Sequence, residues 1–174
     1  MKKITLIMTV ALLLIISVTA NSQTKFVEKK IGHVYTINVP DYMTKTLELN
    51  SAATCQYSNV KKNAYMIVIE DSKEDLELVN SKYTNPGDFY EDFVKSFSQN
   101  KENVQVSEVK NLVINGNKAV QSEMTAVVDS TNIYYLLTVV ETKSYFYKLL
   151  CWTLPDNKDA LKSDFVKMVS SLKD

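Results

Sequence analysis

Few residues in this chain could do chemistry, and their spacing narrows what each could do. His33 is the one histidine. With an unperturbed pKa of about 6.5 it would suit a general base, but only beside a carboxylate, or beside Cys55 or Cys151 with a third, orienting group. A single imidazole excludes zinc sites that need two or three. The acidic run Glu70-Asp71-Ser72-Lys73-Glu74-Asp75-Leu76-Glu77 could gather a cation. Counted from Asp71, however, Leu76 stands where an EF-hand loop needs glycine, so the run reads as a solvated, capped turn. No metal site and no cofactor is expected. Among twenty acidic residues no glycosidase pair can be chosen without geometry. Gly32, Gly87 and Gly116 are too far apart to form a phosphate-cradling loop or a dinucleotide fingerprint, and no Gly-x-Ser-x-Gly elbow is present. The chain is expected not to be an enzyme.

Cys55 and Cys151, the only two cysteines, both lie in alternating, strand-like stretches. In an oxidising compartment they would either bridge, closing a long loop, or remain as two buried thiols. A bridge needs Cα atoms within about 7 Å. Tyrosine is the more telling type, with ten in the chain. Tyr134, Tyr135, Tyr145 and Tyr147 are binding candidates, because tyrosine joins a large apolar area to a polar tip. Alternation sends Tyr134 and Tyr135 to opposite faces of a strand, while Tyr145 and Tyr147 share one. The same four residues would also suit a half-buried sheet, and Trp152 reads as a core anchor.

The residues that position these groups begin after a leader. Lys2 and Lys3 precede a nearly unbroken apolar stretch, with Val18 and Ala20 as small residues at its end. Residues 1–20 therefore read as a secretory signal, cleaved after Ala20 or, as a rival site, after Ser22. Residues 21–174 are left as a single domain. The apolar stretch is short for a bilayer span, where about 20 residues are usual, so membrane attachment would come only through an uncleaved leader. Twenty acids balance twenty basic residues, all of them lysine. Without guanidinium groups or a cationic excess, nucleic acid is excluded as a partner.

Two helical islands interrupt a period of two. Strands are expected at residues 33–39, ending at Pro40, and at 45–49. A hairpin is expected from 53–58 and 64–70, its second arm apolar on both faces and therefore central in a sheet. Ser72 and Asp75 mark a short helix or turn over residues 73–80. Asn85 and Pro86 open a helix carrying Phe89, Phe93 and Phe97 on one face. The strands 104–114 and 118–128 flank the tight turn Asn115-Gly116-Asn117, and 133–142 and 145–154 follow. Pro155 ends the sheet, and Asp156 caps a final helix with Leu161, Phe165, Met168, Val169 and Leu172 on one side. The fold class is α+β: one central antiparallel sheet flanked by helices, an α/β/α sandwich.

The run Tyr35-Thr36-Ile37-Asn38-Val39-Pro40, the phrase Val113-Ile114-Asn115-Gly116-Asn117-Lys118-Ala119, and the block Tyr145-Phe146-Tyr147 through Trp152-Thr153 with its final helix resemble the PsbP-like family. The resemblance covers nearly all of the chain after the leader and lies in layout and short phrases. It implies a central antiparallel sheet flanked by helices and a non-enzymatic binding or assembly role. Members include photosystem extrinsic subunits, relatives that bind a small GTPase, and exported bacterial proteins. The expectation is a secreted or periplasmic binding module whose partner is another envelope protein or a small ligand. A secreted hydrolase centred on His33 or on scattered carboxylates is the alternative.

Overall fold

The structure, a computed structural model, describes residues 24–31 and 35–174. The leader with both cleavage sites, and His33, lie outside the described residues. Strands β1 (Phe26–Ile31) and β2 (Tyr35–Pro40) form an antiparallel hairpin in which Phe26 is level with Pro40. The main sheet contains β3 (Thr44–Lys45), β4 (Cys55–Asn59), β5 (Ala64–Ser72), β6 (Glu102–Val106), β7 (Lys110–Ile114), β8 (Asn117–Val128), β9 (Thr131–Glu141) and β10 (Tyr145–Thr153). Its order is β3-β4-β5-β10-β9-β8-β6, with β7 also on β8, and every pairing is antiparallel. Among the described residues, three α-helices complete the fold: α1 (Lys73–Leu78), α2 (Pro86–Ser98) and α3 (Lys158–Ser170).

Alternation along the strands builds two cores. Met66, Val68, Leu136, Leu149 and Cys151 face one way and pack under Phe165, Met168 and Val169 of α3 and under Tyr35 and Ile37 of the β1–β2 hairpin. Ile67, Leu137, Val139 and Leu150 face the other way, under Phe89 and Tyr90 of α2. These layers make the α/β/α sandwich that the periodicity predicts. β9 is buried from Tyr134 through Val140, because it lies inside the sheet with a helix over each face.

Local signals hold where turn and cap chemistry is strong. Asn115 and Gly116 take φ of 49° and 87°, and Asp129 and Ser130 take 48° and 64°; two consecutive positive φ values match the twist of a tight hairpin. Asn85 Oδ1 accepts from the backbone N–H of Gly87 at 2.8 Å and of Asp88 at 3.1 Å, capping α2. Ser72 caps α1 by accepting from Asp75 N–H.

Three expectations are corrected, and one strand, β1, forms where none was expected. β1 carries too little apolar periodicity to read as a strand and forms as the partner of β2. The strand expected at 45–49 ends at Lys45, because Gln56 Oε1 accepts from the N–H of Leu49 and Asn50 while its Nε2 donates to Asn50 O. This side-chain amide holds the segment as a loop. The strand expected at 104–114 breaks into β6 and β7 at Ser107, whose N–H donates to Glu123 O and whose hydroxyl accepts from Glu123 N–H. Asp156 is not the cap of α3: Pro155–Asn157 forms a 3-10 turn, and the Asn157 side chain donates to Lys62 O instead of capping.

Candidate functional site

The predicted tyrosines do not make a surface groove. Tyr134 and Tyr147 are fully buried in the α3-side core, and Tyr135 is buried in the α2-side core. Only Tyr145 is half-buried, its ring 5.8 Å from that of Tyr147. Alternation distributes the four between the faces as expected, but three of them are core residues. Burial pushes the Tyr135 phenol up to about 12. Burial also raises Tyr134 and Tyr147, reinforced by the Glu123 carboxylate for the first and by Asp174 for the second.

Cys55 and Cys151 are free, buried thiols. β5 separates their strands, with Cys55 level with Val68 and Cys151 level with Met66. Two inter-strand steps of about 4.8 Å and an offset of two residues place their Cα atoms roughly 12 Å apart, beyond the reach of a bridge. Burial holds the Cys55 thiol up at about 12 and raises Cys151 as well, so neither is poised as a nucleophile. The acidic run forms the end of β5 and helix α1, where Asp71 pairs with Lys148 at 2.7 Å. Among the described residues, no three His, Cys, Asp or Glu side chains gather where they could hold a metal ion.

A half-buried aromatic surface lies on the α2 side. α2 crosses β8 and β9, so the rings that it and the sheet present run outward toward β5. Phe93 and Phe97 on α2 are 5.7 Å apart, Phe97 meets Tyr135 edge-on at 5.3 Å, and Tyr135 lies 6.5 Å from Trp152. Trp152 stacks on Tyr65 at 5.3 Å with 12° between planes; the two are register partners across β10 and β5. Phe93, Phe97, Trp152 and Tyr65 are all half-buried. Lysines edge the row: Lys101 Nζ sits 3.6 Å over Phe97, and Lys148 Nζ lies 5.7 Å from Phe89 and 6.0 Å from Phe93. Burial lowers the pKa of Lys101, whose ammonium is held by the ring face and by Phe97 O. This shelf can stack flat or apolar groups and attract negative charge at its rim.

In the sequence Trp152 reads as a core anchor, and nothing there singles out Tyr65. Their pairing depends on the β5–β10 register, which joins distant parts of the chain. The alternating apolar pattern of the two strands was the one signal that could have brought them together.

No protein-family model matches the chain, and no curated protein matches it. Solved structures do. The cyanobacterial PsbP of Synechocystis sp. PCC 6803 aligns at a TM-score of 0.59 and 16% identity over 80% of this chain and 85% of that one. LpqN of Mycobacterium tuberculosis, described as involved in cell envelope biogenesis, aligns at 0.57 and 14% over 87% and 91%. The Saccharomyces cerevisiae Ran-binding protein Mog1p aligns at 0.55 and 9% over 86% and 95%. At such identities the likeness reports architecture, and the same sheet with a helix layer on each side is what the three share with this chain. The chain has the PsbP-like fold.

Proposed function

We propose that this protein is an exported, non-enzymatic binding or assembly module that engages an envelope protein through the aromatic shelf on its α2 side. The observation that carries the reading is the stacked, half-buried Tyr65–Trp152 pair at the open end of a five-ring row flanked by lysines. Interface centres are enriched in Trp, Tyr and Phe, and a few such anchors carry most of the binding energy. A solvent-facing indole and phenol in register can fill a partner's pocket at little entropic cost, since both are already held by stacking. The envelope association of LpqN and the protein-binding role of Mog1p support the reading. Export rests on residues 1–20, and no helix among the described residues is long and apolar enough to cross a membrane.

The test is capture from the native envelope by the tagged protein, compared with Trp152→Ala and with Lys173→Ala as a control on the opposite side. A protein retained by the parent and by K173A, and lost from W152A while W152A keeps its cooperative unfolding, is the expected result. Equal retention by W152A would overturn the assignment of the shelf.

A further inference from the structure

A second site lies on the α3 side, independent of the shelf. Four separated segments line a cleft of about 510 Å³: Thr24 and Lys25 before β1, Asp41 and Tyr42 after β2, Lys62 at the β4–β5 tip, and Ala160, Leu161 and Asp164 on α3. At its wall Asp164 is only 7% exposed. Its Oδ2 accepts from Tyr42 Oη at 2.9 Å and Thr24 Oγ1 at 3.1 Å. Both partners are neutral, an expensive way to bury a carboxylate. Across the cleft, Lys62 Nζ stands 5.1 Å over the Tyr42 ring, and Lys25 and Asp41 occupy the rim.

Among the described residues, four lysines elsewhere close into ion pairs, whereas the charges of this cleft do not pair with one another. Lys73 with Glu141, Lys148 with Asp71, and Lys158 and Lys162 with Glu123 all close to between 2.6 and 2.8 Å. Lys25, Lys62, Asp41 and Asp164 share one cleft, yet form no ion pair among the described residues. Two cations and two anions held apart around a cavity complement a ligand that carries both signs. The cavity volume falls within the usual range for small-ligand sites, about 300–1,000 Å³.

We propose that this cleft binds a small zwitterion of the amino-acid or short-peptide class. The ligand's ammonium is received by Asp164, its carboxylate by Lys62, and a small apolar side chain rests against Leu161. Tyr42 and Thr24 fix the Asp164 carboxylate by hydrogen bonding, and the Tyr42 ring fixes the Lys62 ammonium, so both charged groups are oriented before the ligand arrives.

Titration calorimetry with L-alanyl-L-alanine, its N-acetyl derivative and its C-terminal amide tests this directly. The expected result is saturable binding of the zwitterion, with each blocked form weaker by about tenfold or more because one charge-assisted contact is lost. Lys62→Gln should weaken the zwitterion by a similar factor and leave the amide's residual binding and the melting temperature unchanged, since Lys62 is exposed. Asp164→Asn should abolish binding; if it also unfolds the protein, K62Q carries the decision. Equal binding of all three peptides, no saturable binding by any, or an unaltered K62Q would overturn the proposal. None of these outcomes bears on the shelf, which lies on the other side of the sheet.

Discussion

The two faces of the sheet are built from alternate residues of the same strands, yet they are closed to different degrees. Over one face, α3 and the β1–β2 hairpin lie together, and Tyr35, Ile37, Phe165, Met168 and Leu172 are shut away from solvent. The C-terminal tail seals the same side: Thr36 and Lys173 exchange backbone hydrogen bonds of 2.8 and 3.0 Å, and Asn115 Nδ2 donates to Leu172 O at 2.7 Å. Over the other face a single helix and the loop carrying Leu49 and Ala53 share the cover, and Phe93, Phe97, Tyr65 and Trp152 remain half-buried. Away from the cleft at Tyr42 and Leu161, the face sealed by two elements spends its apolar area on stability. The face covered by one helix and a loop keeps aromatic area available for a partner.

The sharpest way to break this contrast is to truncate one phenylalanine on each helix. Phe165 is fully buried under α3, so Phe165→Ala should cost about 3–5 kcal/mol, the transfer term plus an unfilled cavity. Phe97 is half-buried, already shares its surface with water, and leaves room for Lys101 and Tyr135 to relax. Phe97→Ala should cost about 1–2 kcal/mol, since only part of the side-chain transfer term is lost. Urea denaturation of both variants gives the comparison. Equal losses would mean that the α2 face is as closed as the α3 face, and the shelf would no longer be a surface.

A smaller effect asks how α2 is fixed to the face it covers. The Tyr90 hydroxyl is hydrogen-bonded to Ser122 on β8, and both residues are buried. Ser122→Ala leaves the phenol without its partner in a dry layer, at a cost of about 1–3 kcal/mol. The double variant Tyr90→Phe with Ser122→Ala removes donor and acceptor together and should recover part of that loss, because no orphaned polar group remains. Calorimetric melting of the single and double variants measures the recovery. A double variant less stable than S122A would show that the pair anchors the helix by geometry beyond the hydrogen bond.

How much of this was legible in the chain depends on how local each signal is. α2 could be read because Asn85, Pro86 and the Phe89-Phe93-Phe97 spacing sit within a few turns, and β7 through β10 because Asn115-Gly116 and Asp129-Ser130 place the turns. β1 could not, since Glu28, Lys29 and Lys30 interrupt its apolar positions and its existence depends on β2. Alternation assigned Tyr134 and Tyr135 to opposite faces but carries no information on how well either face is covered, which is why three tyrosines read as candidates are core. Cys55 and Cys151 share a face, but the strand between them is fixed by sheet order. Asp164 lies beside Phe165 on the apolar side of α3; its tie to Tyr42 and Thr24 joins residues far apart in the chain, so neither the cleft nor the shelf has a sequence signature.

The smallest effect concerns the rim of the closed face, where α3 is held to β8 by charge. Glu123 on β8 pairs with Lys158 at 2.8 Å and Lys162 at 2.6 Å, one turn apart on α3. Burial opposes ionisation of Glu123, but the hydrogen bonds from the two lysines, together with their charges, outweigh it and hold the carboxyl at about 2 against an ordinary value of 4.5. A folded pKa below the unfolded one means that the stabilisation is complete above pH 4.5 and disappears as pH falls toward about 2. Both lysines are more than a third exposed, so solvent and salt screen the pair, and Glu123→Gln should cost no more than about 1 kcal/mol near neutrality. The gap between parent and variant should shrink through the acid range and in concentrated salt, as followed by denaturant midpoints across pH. The S122A loss, which involves no titrating partner, should keep its size under both treatments. A Glu123→Gln gap equally indifferent to acid and salt would place the glutamate's contribution in packing, and α3 would then be held by apolar burial along its whole length.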